Sequence, residues 1–552
     1  MKAGKILGAS LGACVHVAGI QGFLRMCEEE GYETVFLGPA VSPRALAEAV
    51  DKHRPGIVAV SYRLTPEAAE PLLRELKSLL GDKIRSGLRC VFGGTAPVAA
   101  VAERTGLFER VFSGTESPDE IRSYIKGEKP RAGVGDYPAD LVGRIRRFHP
   151  FPLIRHHFGR PTLEETVAGA ERIAEAGVLD VLSIGPDQNA QESFFRPAEM
   201  EPAQDGAGGV PLRRPEDLEA VYQAVRRGNF PLVRCYSGTR DLDKWAEMSL
   251  RTINIAWAAI PLCWYSDLDG RSNRPLREAM AENLRVIRWY AEKGIPVEVN
   301  ESHQWSLRNA HDTLAVVMAF LAAYNAKAAG VRHYVAQYMF NTPAGTSPSM
   351  DLAKMLAKIE LIEGLADKSF SVFREVRAGL SSMPADFAAA KGHLAASGAV
   401  SMSLDPHIYH VVGYSEGDHA ITADELIESC RIARGAVALC LLGLPDPSCD
   451  PAVQERKAEL IAEAHVLLDA LKELGQKESG DPWTNPRVLA EAVEKGVLDT
   501  PHFKAHRFAR GRVVTRIVGG ACRAVDPRTG EPISETQRLA SLGRDDDAAR
   551  GG

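Results

Sequence analysis

The chain has 552 residues, too many for one ordinary core and suited to two or three domains. Hydrophobic residues make up 45% and charged residues 25%, a globular composition, and the formal net charge of −6 offers no basic face for nucleic acid. Nine cysteines are scattered without CxxC or CxC pairs, which argues against a structural zinc site and for reduced thiols in a cytoplasmic setting.

Met1-Lys2-Ala3-Gly4-Lys5 runs directly into an apolar strand, without the long apolar region of a signal peptide. No apolar run is long enough to span a bilayer, so no membrane association is expected. The first strand, Ile6-Leu7, is followed by Ala13-Cys14-Val15-His16-Val17-Ala18-Gly19 and then by a helical segment carrying Phe23, Leu24 and Met26. A histidine on such a loop stands at the carboxyl edge of a parallel sheet, where open α/β sheets bind ligands. There its imidazole can coordinate a metal held by something other than protein. Further strands end in small residues: Ile57–Val60 before Ser61-Tyr62-Arg63, Cys90–Phe92 before Gly93-Gly94-Thr95, and Val111-Phe112 before Ser113-Gly114-Thr115. Adjacent glycines let a bulky planar ligand approach the backbone. Ser42-Pro43, Thr65-Pro66 and Ser117-Pro118 mark helix starts, with Glu120 completing a capping box. Strand and helix alternating in this way predict a flavodoxin-like, Rossmann-type doubly wound sheet over residues 1–128.

Residues 129–150 are rich in Gly and Pro without periodicity and read as a linker. A second αβ alternation follows over 151–450. Its strand candidates are Leu153–His157, Asp180–Ile184, Pro231–Tyr236, Thr252–Ala256, Val297–Glu301, His333–Tyr338, Ser369–Val376 and Ala399–Leu404. Thr162-Leu163-Glu164-Glu165 and Thr422-Ala423-Asp424-Glu425 are capping boxes. This alternation predicts a TIM barrel with sites at the strands' carboxyl ends. On this reading His157, Gln191, Arg234, Tyr265, Glu301, Gln337 and His407 fall there. Glu301 and His303, in Glu301-Ser302-His303-Gln304-Trp305, are read as facing the cavity. His156-His157 has no carboxylate or cysteine at ligand spacing, so a protein metal site is not expected. Residues 451–552 read as a C-terminal helical extension with a polar, disordered tail over Gly543–Gly552.

The first 128 residues resemble the small cobalamin-binding subunit of glutamate mutase (methylaspartate mutase). That family's pattern is Asp-x-His-x-x-Gly, then Ser-x-Leu, then Gly-Gly. Here it reads Cys14-Val15-His16-Val17-Ala18-Gly19, Ser61-Tyr62-Arg63 and Gly93-Gly94. The resemblance implies cobalamin, with His16 as the lower cobalt ligand and the nucleotide tail in space kept open by Ser and Gly. It implies cofactor contacts from Ala13, Cys14, Val15, Val17, Gly19, Ser61, Tyr62, Arg63, Gly93, Gly94, Thr95, Gly114 and Thr115. In this chain Cys14 replaces the aspartate behind the histidine, and Arg63 replaces the leucine.

Residues 150–540 resemble the family's large catalytic subunit, most clearly in the tail: Leu489–Asp499, Pro501, Gly511-Arg512-Val513, Gly519-Gly520-Ala521-Cys522, Asp526 and Glu531-Pro532-Ile533. The chain thus looks like both subunits joined, and fusion holds the cobalt face against the barrel mouth at high effective concentration. Of the family's three substrate arginines, the positions fall at His157 (just before Gly159, a further cofactor contact), Gln191 and Arg234. The glutamate facing the substrate amine falls at Ile255. One tyrosine remains as Tyr265 and the other falls at Pro261. Each lost charge-assisted bond is worth about 1.5–3 kcal/mol. The expected activity is therefore an adenosylcobalamin-dependent radical isomerase, a carbon-skeleton mutase acting on a small organic acid other than glutamate. Arg234, Tyr265 and Glu301 are its expected catalytic residues, and a homodimer is implied. The competing readings are a corrinoid methyltransferase or methyl carrier, and a non-catalytic cobalamin sensor or carrier.

Overall fold

The structure is a computed structural model that describes residues 4–114, 116, 118–125, 137–236 and 238–550, without side-chain detail at 118–120, 123 and 543–550. The chain forms two compact units, Met1–Arg131 and Ala132–Gly552.

In the first unit, strands β1 (Lys5–Ser10), β2 (Glu33–Phe36), β3 (Ile57–Tyr62), β4 (Arg89–Gly94) and β5 (Arg110–Phe112) alternate with helices α1 (Ala18–Glu29), α2 (Pro43–His53), α3 (Pro66–Arg85), α4 (Ala96–Thr105) and α5 (Pro118–Ile125). The sheet is parallel, in the order β2-β1-β3-β4-β5. That is the flavodoxin-like order, whose ligand crevice opens between the carboxyl ends of β1 and β3. The predicted caps hold: Ser42 Oγ accepts from Ala45 N at 3.2 Å and Thr65 Oγ1 from Ala68 N at 3.3 Å, each worth about 1 kcal/mol. Ser117 and its expected capping box lie outside the described residues. Alternation along the strands sorts the two faces. Leu7, Val58, Val60, Tyr62 and Phe92 pack with α2, α3 and α4, whereas Ile6, Ile57, Ala59, Val91 and Phe112 pack with Ile20, Phe23 and Leu24 of α1 and Ile125 of α5.

The second unit opens with α6 (Leu141–Phe148), where sequence alone read an unstructured linker. Asp140 caps it by accepting from Gly143 N at 2.8 Å, and Leu141 and Ile145 pack among Leu153, Val181, Leu232, Val335 and Ile408. The helix thus plugs the amino end of the barrel that follows.

That barrel runs β6 (Leu153–Phe158), α7 (Leu163–Ala176), β7 (Val181–Ile184), α8 (Gln188–Ser193), α9 (Pro215–Ala224), β8 (Leu232–Cys235), α10 (Leu242–Ile253), β9 (Ala258–Ile260), α11 (Leu276–Glu292), β10 (Val297–Val299), α12 (Ser302–Ser306), α13 (Asp312–Ala328), β11 (His333–Phe340), α14 (Pro348–Glu363), β12 (Ser371–Ala378), α15 (Phe387–Ser401), β13 (Ile408–His410) and α16 (Ala423–Leu441). Its eight parallel strands are ordered β8-β7-β6-β13-β12-β11-β10-β9. The seam between β8 and β9 is bridged by Ala256 N donating to Val233 O at 2.9 Å, so the TIM-type barrel is nearly closed.

Two strands stand elsewhere than the sequence reading placed them. Thr252 and Ile253 complete the buried face of α10, which Asn254 ends at φ 44°, and the strand is Ala258–Ile260. Residues 399–401 belong to α15, whose buried Ala390, Leu394, Ser397, Gly398 and Ser401 follow helical spacing. Asp405 turns the chain at φ 47°, and the strand begins at Ile408.

The extension is not wholly helical. After α17 (Pro451–Leu474) and α18 (Pro486–Glu494), an antiparallel hairpin pairs β14 (Val514–Val518) with β15 (Ala521–Val525). Gly519 and Gly520 make its two-residue turn at φ 60° and 80°, the left-handed pair that a primed turn needs. The expected disordered tail is instead the end of a helix, α19 (Glu535–Arg550), with Gly551 and Gly552 outside the described residues. Among the described residues no helix is long and apolar enough to cross a membrane.

Candidate functional site

The first unit's site follows from one gradient of side-chain size. On the face shared with α1 and α5, the amino ends of β1, β3 and β4 carry Ile6, Ile57 and Val91. At their carboxyl ends the register aligns Ser10, Ser61 and Gly93 in a single row. Bulk therefore gives way to small side chains, and a cavity of about 480 Å³ opens between the sheet and the helices. A Cβ at Gly93 would meet nothing within 4 Å. The hydroxyls of Ser10 and Ser61 are buried without a hydrogen-bond partner, a cost of about 1–3 kcal/mol each unless something else supplies an acceptor or donor.

His16 stands at the mouth of this cavity, exposed on the loop between β1 and α1. Its Nδ1 lies 3.7 Å from Cys14 Sγ. Beside it Val15 is 64% exposed and, across the switch point, Leu64 is 40% exposed. Gly19, Ser61, Arg63, Gly94, Thr95 and Gly114 also line the cavity. Glu116 braces its far wall, accepting from Ser113 N (2.9 Å) and Gly114 N (2.9 Å). Burial alone would raise its carboxyl, but these bonds hold it down at about 2.

Other expected contacts are placed differently. Tyr62 and Cys14 face the core under α2, α3 and α4, because strand alternation turns Tyr62 away from Ser61. Ala13 and Val15 are exposed, and Val17 packs at the start of α1 against the α1/α5 core. Thr115 lies outside the described residues. Gly159 belongs to the barrel, where an added Cβ would lie 2.2 Å from Gly185 O; it packs two loops together and leaves no cradle.

The barrel's carboxyl half holds a second constellation. Arg155 and His157 alternate inward on β6. Arg155 Nη1 pairs with Glu375 Oε1 of β12, and its Nε donates to Ser183 Oγ at 2.8 Å. Glu298 Oε2 of β10 accepts from Trp257 Nε1 at 3.0 Å, and Gln337 Nε2 donates to both Glu298 and Glu375 at 3.2 Å. Arg234 of β8 is fully buried; its Nη1 lies 3.6 Å from Glu298 Oε2, and its Cζ stands 4.9 Å from the ring centroid of Trp257 and 5.3 Å from that of Tyr236. None of its three nitrogens has a hydrogen-bond partner. His157 stacks on Tyr236, which shares a 2.8 Å bond with His157 Nε2, and meets His410 edge-on at 4.6 Å. Burial and the nearby Arg155 and Arg377 guanidiniums hold His157 and His410 well below the usual imidazole range, so both are neutral.

Of the predicted barrel residues, the structure brings together His157, Arg234 and Gln337. Tyr265 follows β9 at φ 60°, buried, with the Arg271 guanidinium 5.1 Å from its ring; burial raises its phenol above the usual range. Gln191 is on α8 and donates to Pro186 O at 2.9 Å, folding back on its own loop. Glu301 does not offer a free carboxylate: Oε2 accepts from Leu262 N (2.8 Å) and Cys263 N (3.0 Å), and Oε1 from Trp305 Nε1 (2.7 Å). It orders the loop that carries Tyr265. His303 is buried beside it, held well below the usual imidazole range by burial and surrounding cations. His407 precedes β13 at the amino end, accepting from Arg374 N at 3.1 Å; the displaced strand explains the error, and His410 takes the inward place.

Arg155, Tyr236, Glu298, Glu375, Arg377 and His410 were not singled out from sequence. Their signal is the polar pair two residues apart at a strand's carboxyl end: Arg155/His157, Arg234/Tyr236 and Glu375/Arg377. His156 points outward, its Nε2 3.0 Å from Glu416 Oε1. Among the described residues no group of three or more His, Cys, Asp or Glu is arranged to hold a metal.

Comparison with known proteins bears on the first unit. Residues 4–122 match the B12 binding domain family. No curated protein matches the chain. Among solved structures, a cobalamin-binding protein from Desulfitobacterium hafniense DCB-2 is 27% identical over 23% of this chain and 59% of its own, with a TM-score of 0.20. A methanol:cobalamin methyltransferase complex from Methanosarcina barkeri is 19% identical over 23% of this chain and 49% of its own, also at 0.20. A rubisco-like protein from Burkholderia fungorum is 14% identical over 60% of this chain and 72% of its own, with a TM-score of 0.34. The chain thus spans about half to three-fifths of the first two proteins.

Proposed function

We propose that this protein is an adenosylcobalamin-dependent isomerase that rearranges the carbon skeleton of a small organic acid other than glutamate. The observation that carries the reading is the pair Ser61–Gly93 in a cavity that the exposed His16 also lines. A cavity lined by small residues and the unpartnered Ser61 hydroxyl suits a cofactor's polar tail, and the match to the B12 binding domain family supports the cofactor's class.

His16 would hold the cobalt through Nε2, since Nδ1 is turned to Cys14. Ser61, Gly93, Gly94 and Thr95 would house the tail, and Val15 and Leu64 would meet the flat ring. When bound, adenosylcobalamin supplies a carbon radical by homolysis of its cobalt–carbon bond. Within the barrel, Arg234 would grip the substrate's carboxylate and Tyr265 would close over it from the β9 loop. Glu301 fixes that loop rather than touching substrate. A nearly closed barrel plugged at its amino end by α6 excludes water, which suits radical chemistry. A homodimer remains part of this reading.

The test is an anaerobic screen of small organic acids and their thioesters with adenosylcobalamin, read by electron paramagnetic resonance. An acid-dependent organic-radical signal, lost in His16→Ala, is expected. Methyl transfer with no such signal would move the protein to the methyl-carrier class. Failure to take up any cobalamin would end the reading.

A further inference from the structure

Four positions on two neighbouring strands face the cavity of the first unit. Ser61 of β3 pairs with Gly93 of β4, and the strands end one pair later, at Tyr62 and Gly94. Along extended backbone, residue i+2 returns to the side of residue i, so Arg63 follows Ser61 and Thr95 follows Gly93. All four line the cavity, whereas Tyr62 turns to the core under α2, α3 and α4. Ser61 is buried and Arg63 is exposed, so the column runs from a hydroxyl inside to a guanidinium at the rim.

The donors at the rim are unspent. Among the described residues Arg63 has no hydrogen-bond or ion-pair partner. Thr95 is the N-cap of α4, yet its hydroxyl makes no cap bond. Ala96 opens that helix and lines the same cavity. The first amides of a helix have no partner within it, and they favour negative charge. Deeper in, the Ser61 hydroxyl is buried without a partner.

The cavity holds little charge of its own. Of its described lining residues only His16, Arg63 and Glu116 can carry one. Glu116 is occupied by Ser113 N at 2.9 Å, Ser113 Oγ at 3.0 Å and Gly114 N at 2.9 Å, and it forms no ion pair with Arg63. A free guanidinium beside an unused hydroxyl and the amino end of a helix complements an anion, most of all one with several acceptor oxygens. Cobalamin carries neutral amides around its ring. Its one anionic group away from the metal is the phosphodiester of the nucleotide tail.

We propose that Arg63, with Thr95 and the amino end of α4 beside it, pairs with that phosphodiester and so selects corrinoids that carry a nucleotide tail over those that do not. The proposal rests on cobalamin being the first unit's ligand, as in the proposed function, and adds which residue reads the tail. The family that the first 128 residues resemble has leucine here, so the contact belongs to this chain's own arginine.

The test is spectrophotometric titration of the intact protein with hydroxocobalamin and with cobinamide, the same ring without the nucleotide, at low and high salt. The parent should bind cobalamin more tightly, and the margin should narrow as salt screens the pair. Arg63→Leu should weaken cobalamin about ten-fold, leave cobinamide within about two-fold, and remove the salt dependence of the margin. Arg63→Lys should keep part of the margin, because it keeps the charge and loses the fork. Thr95→Val should weaken cobalamin alone, by about three-fold. Arg63 is exposed and unbonded, so its exchange leaves the fold in place. An equal loss for both corrinoids would overturn the proposal, and so would a margin that Arg63→Leu leaves unchanged. A parent that takes up neither corrinoid would sink the cobalamin reading itself. Uptake of both with no preference between them would sink only this one.

Discussion

His16 Nδ1 lies 3.7 Å from the sulfur of Cys14, which is fully buried while the imidazole is exposed. The pair fixes which ring nitrogen faces outward, because the nitrogen turned to sulfur is not the one free to bind a metal. A thiol is a weak acceptor, so it orients the ring while adding little basicity to Nε2. Cys14→Asp should strengthen histidine ligation about ten-fold, and His16→Ala should abolish it. The nitrogen splitting on cobalt in electron paramagnetic resonance, with equilibrium dialysis for affinity, reads both. Unchanged splitting in His16→Ala would refute the ligand assignment.

Gly93 and Ser61 stand side by side in the row that opens the cavity. A Cβ at Gly93 meets open space, so Gly93→Leu should fold normally and fill the cavity. Thermal stability should be unchanged or raised, while cobalamin affinity falls by about 100-fold or more, the equivalent of about 3 kcal/mol of blocked contact. A variant that binds as tightly as the parent would show that the tail lies elsewhere.

Glu301 serves three donors, two of them backbone amides of the β9 loop. Glu301→Ala leaves all three buried and unsatisfied and should cost about 3–5 kcal/mol in denaturant unfolding. Glu301→Gln keeps one acceptor oxygen and should cost less. If Glu301 were instead a substrate group, both variants would lose acid binding at full stability.

Asp312 joins the C-terminal hairpin to the barrel helices. It pairs with Lys354 at 3.1 Å and Arg456 at 3.3 Å, and accepts from Cys522 N at 3.1 Å. Asp312→Ala takes one carboxylate from each of two buried cations, Lys354 keeping Asp351 and Arg456 keeping Glu459, and should cost about 1–3 kcal/mol. Protease sensitivity after residue 500 should rise, because the hairpin loses its anchor. Cleavage unchanged there would place the hairpin's attachment elsewhere.

His311 caps α13, accepting from Leu314 N at 3.4 Å, with Nε2 3.7 Å from Glu535 Oε2. Burial lowers its imidazole to about 4, from the usual 6.5. Because the folded value is the depressed one, the neutral ring's contribution is whole above pH 6.5 and fades as pH falls towards about 4. That contribution is about 3 kcal/mol at most. His311→Asn keeps a capping oxygen and removes the titration, so the fall in unfolding free energy across this window should be shallower. The same slope in both proteins would assign it to the other buried histidines.

Much of the site in the first unit was legible because local chemistry dictates it. His16 on a strand-to-helix loop, Ser61 and Gly93 at strand ends, and hydroxyl caps at Ser42 and Thr65 each follow from short-range rules. The barrel's β9 and β13 were missed for a matching reason. They are three residues long, and the neighbouring Thr252-Ile253 and Ala399–Ser401 carry the apolar residues that complete helices. A strand that short has no period of its own, and only its neighbours in the barrel define it.

By itself the chain's amino-acid order settled the two αβ alternations, the imidazole at position 16 and the arginine at 234. Only tertiary structure decided what those side chains meet. Tyr62 turned from the cavity, Glu301 spent itself on its own loop, and Glu375, Arg377 and His410 joined Arg234 from strands far apart in the chain. Strand pairing in register brings together residues that sequence distance keeps apart, and burial then fixes which of their polar atoms are left without partners.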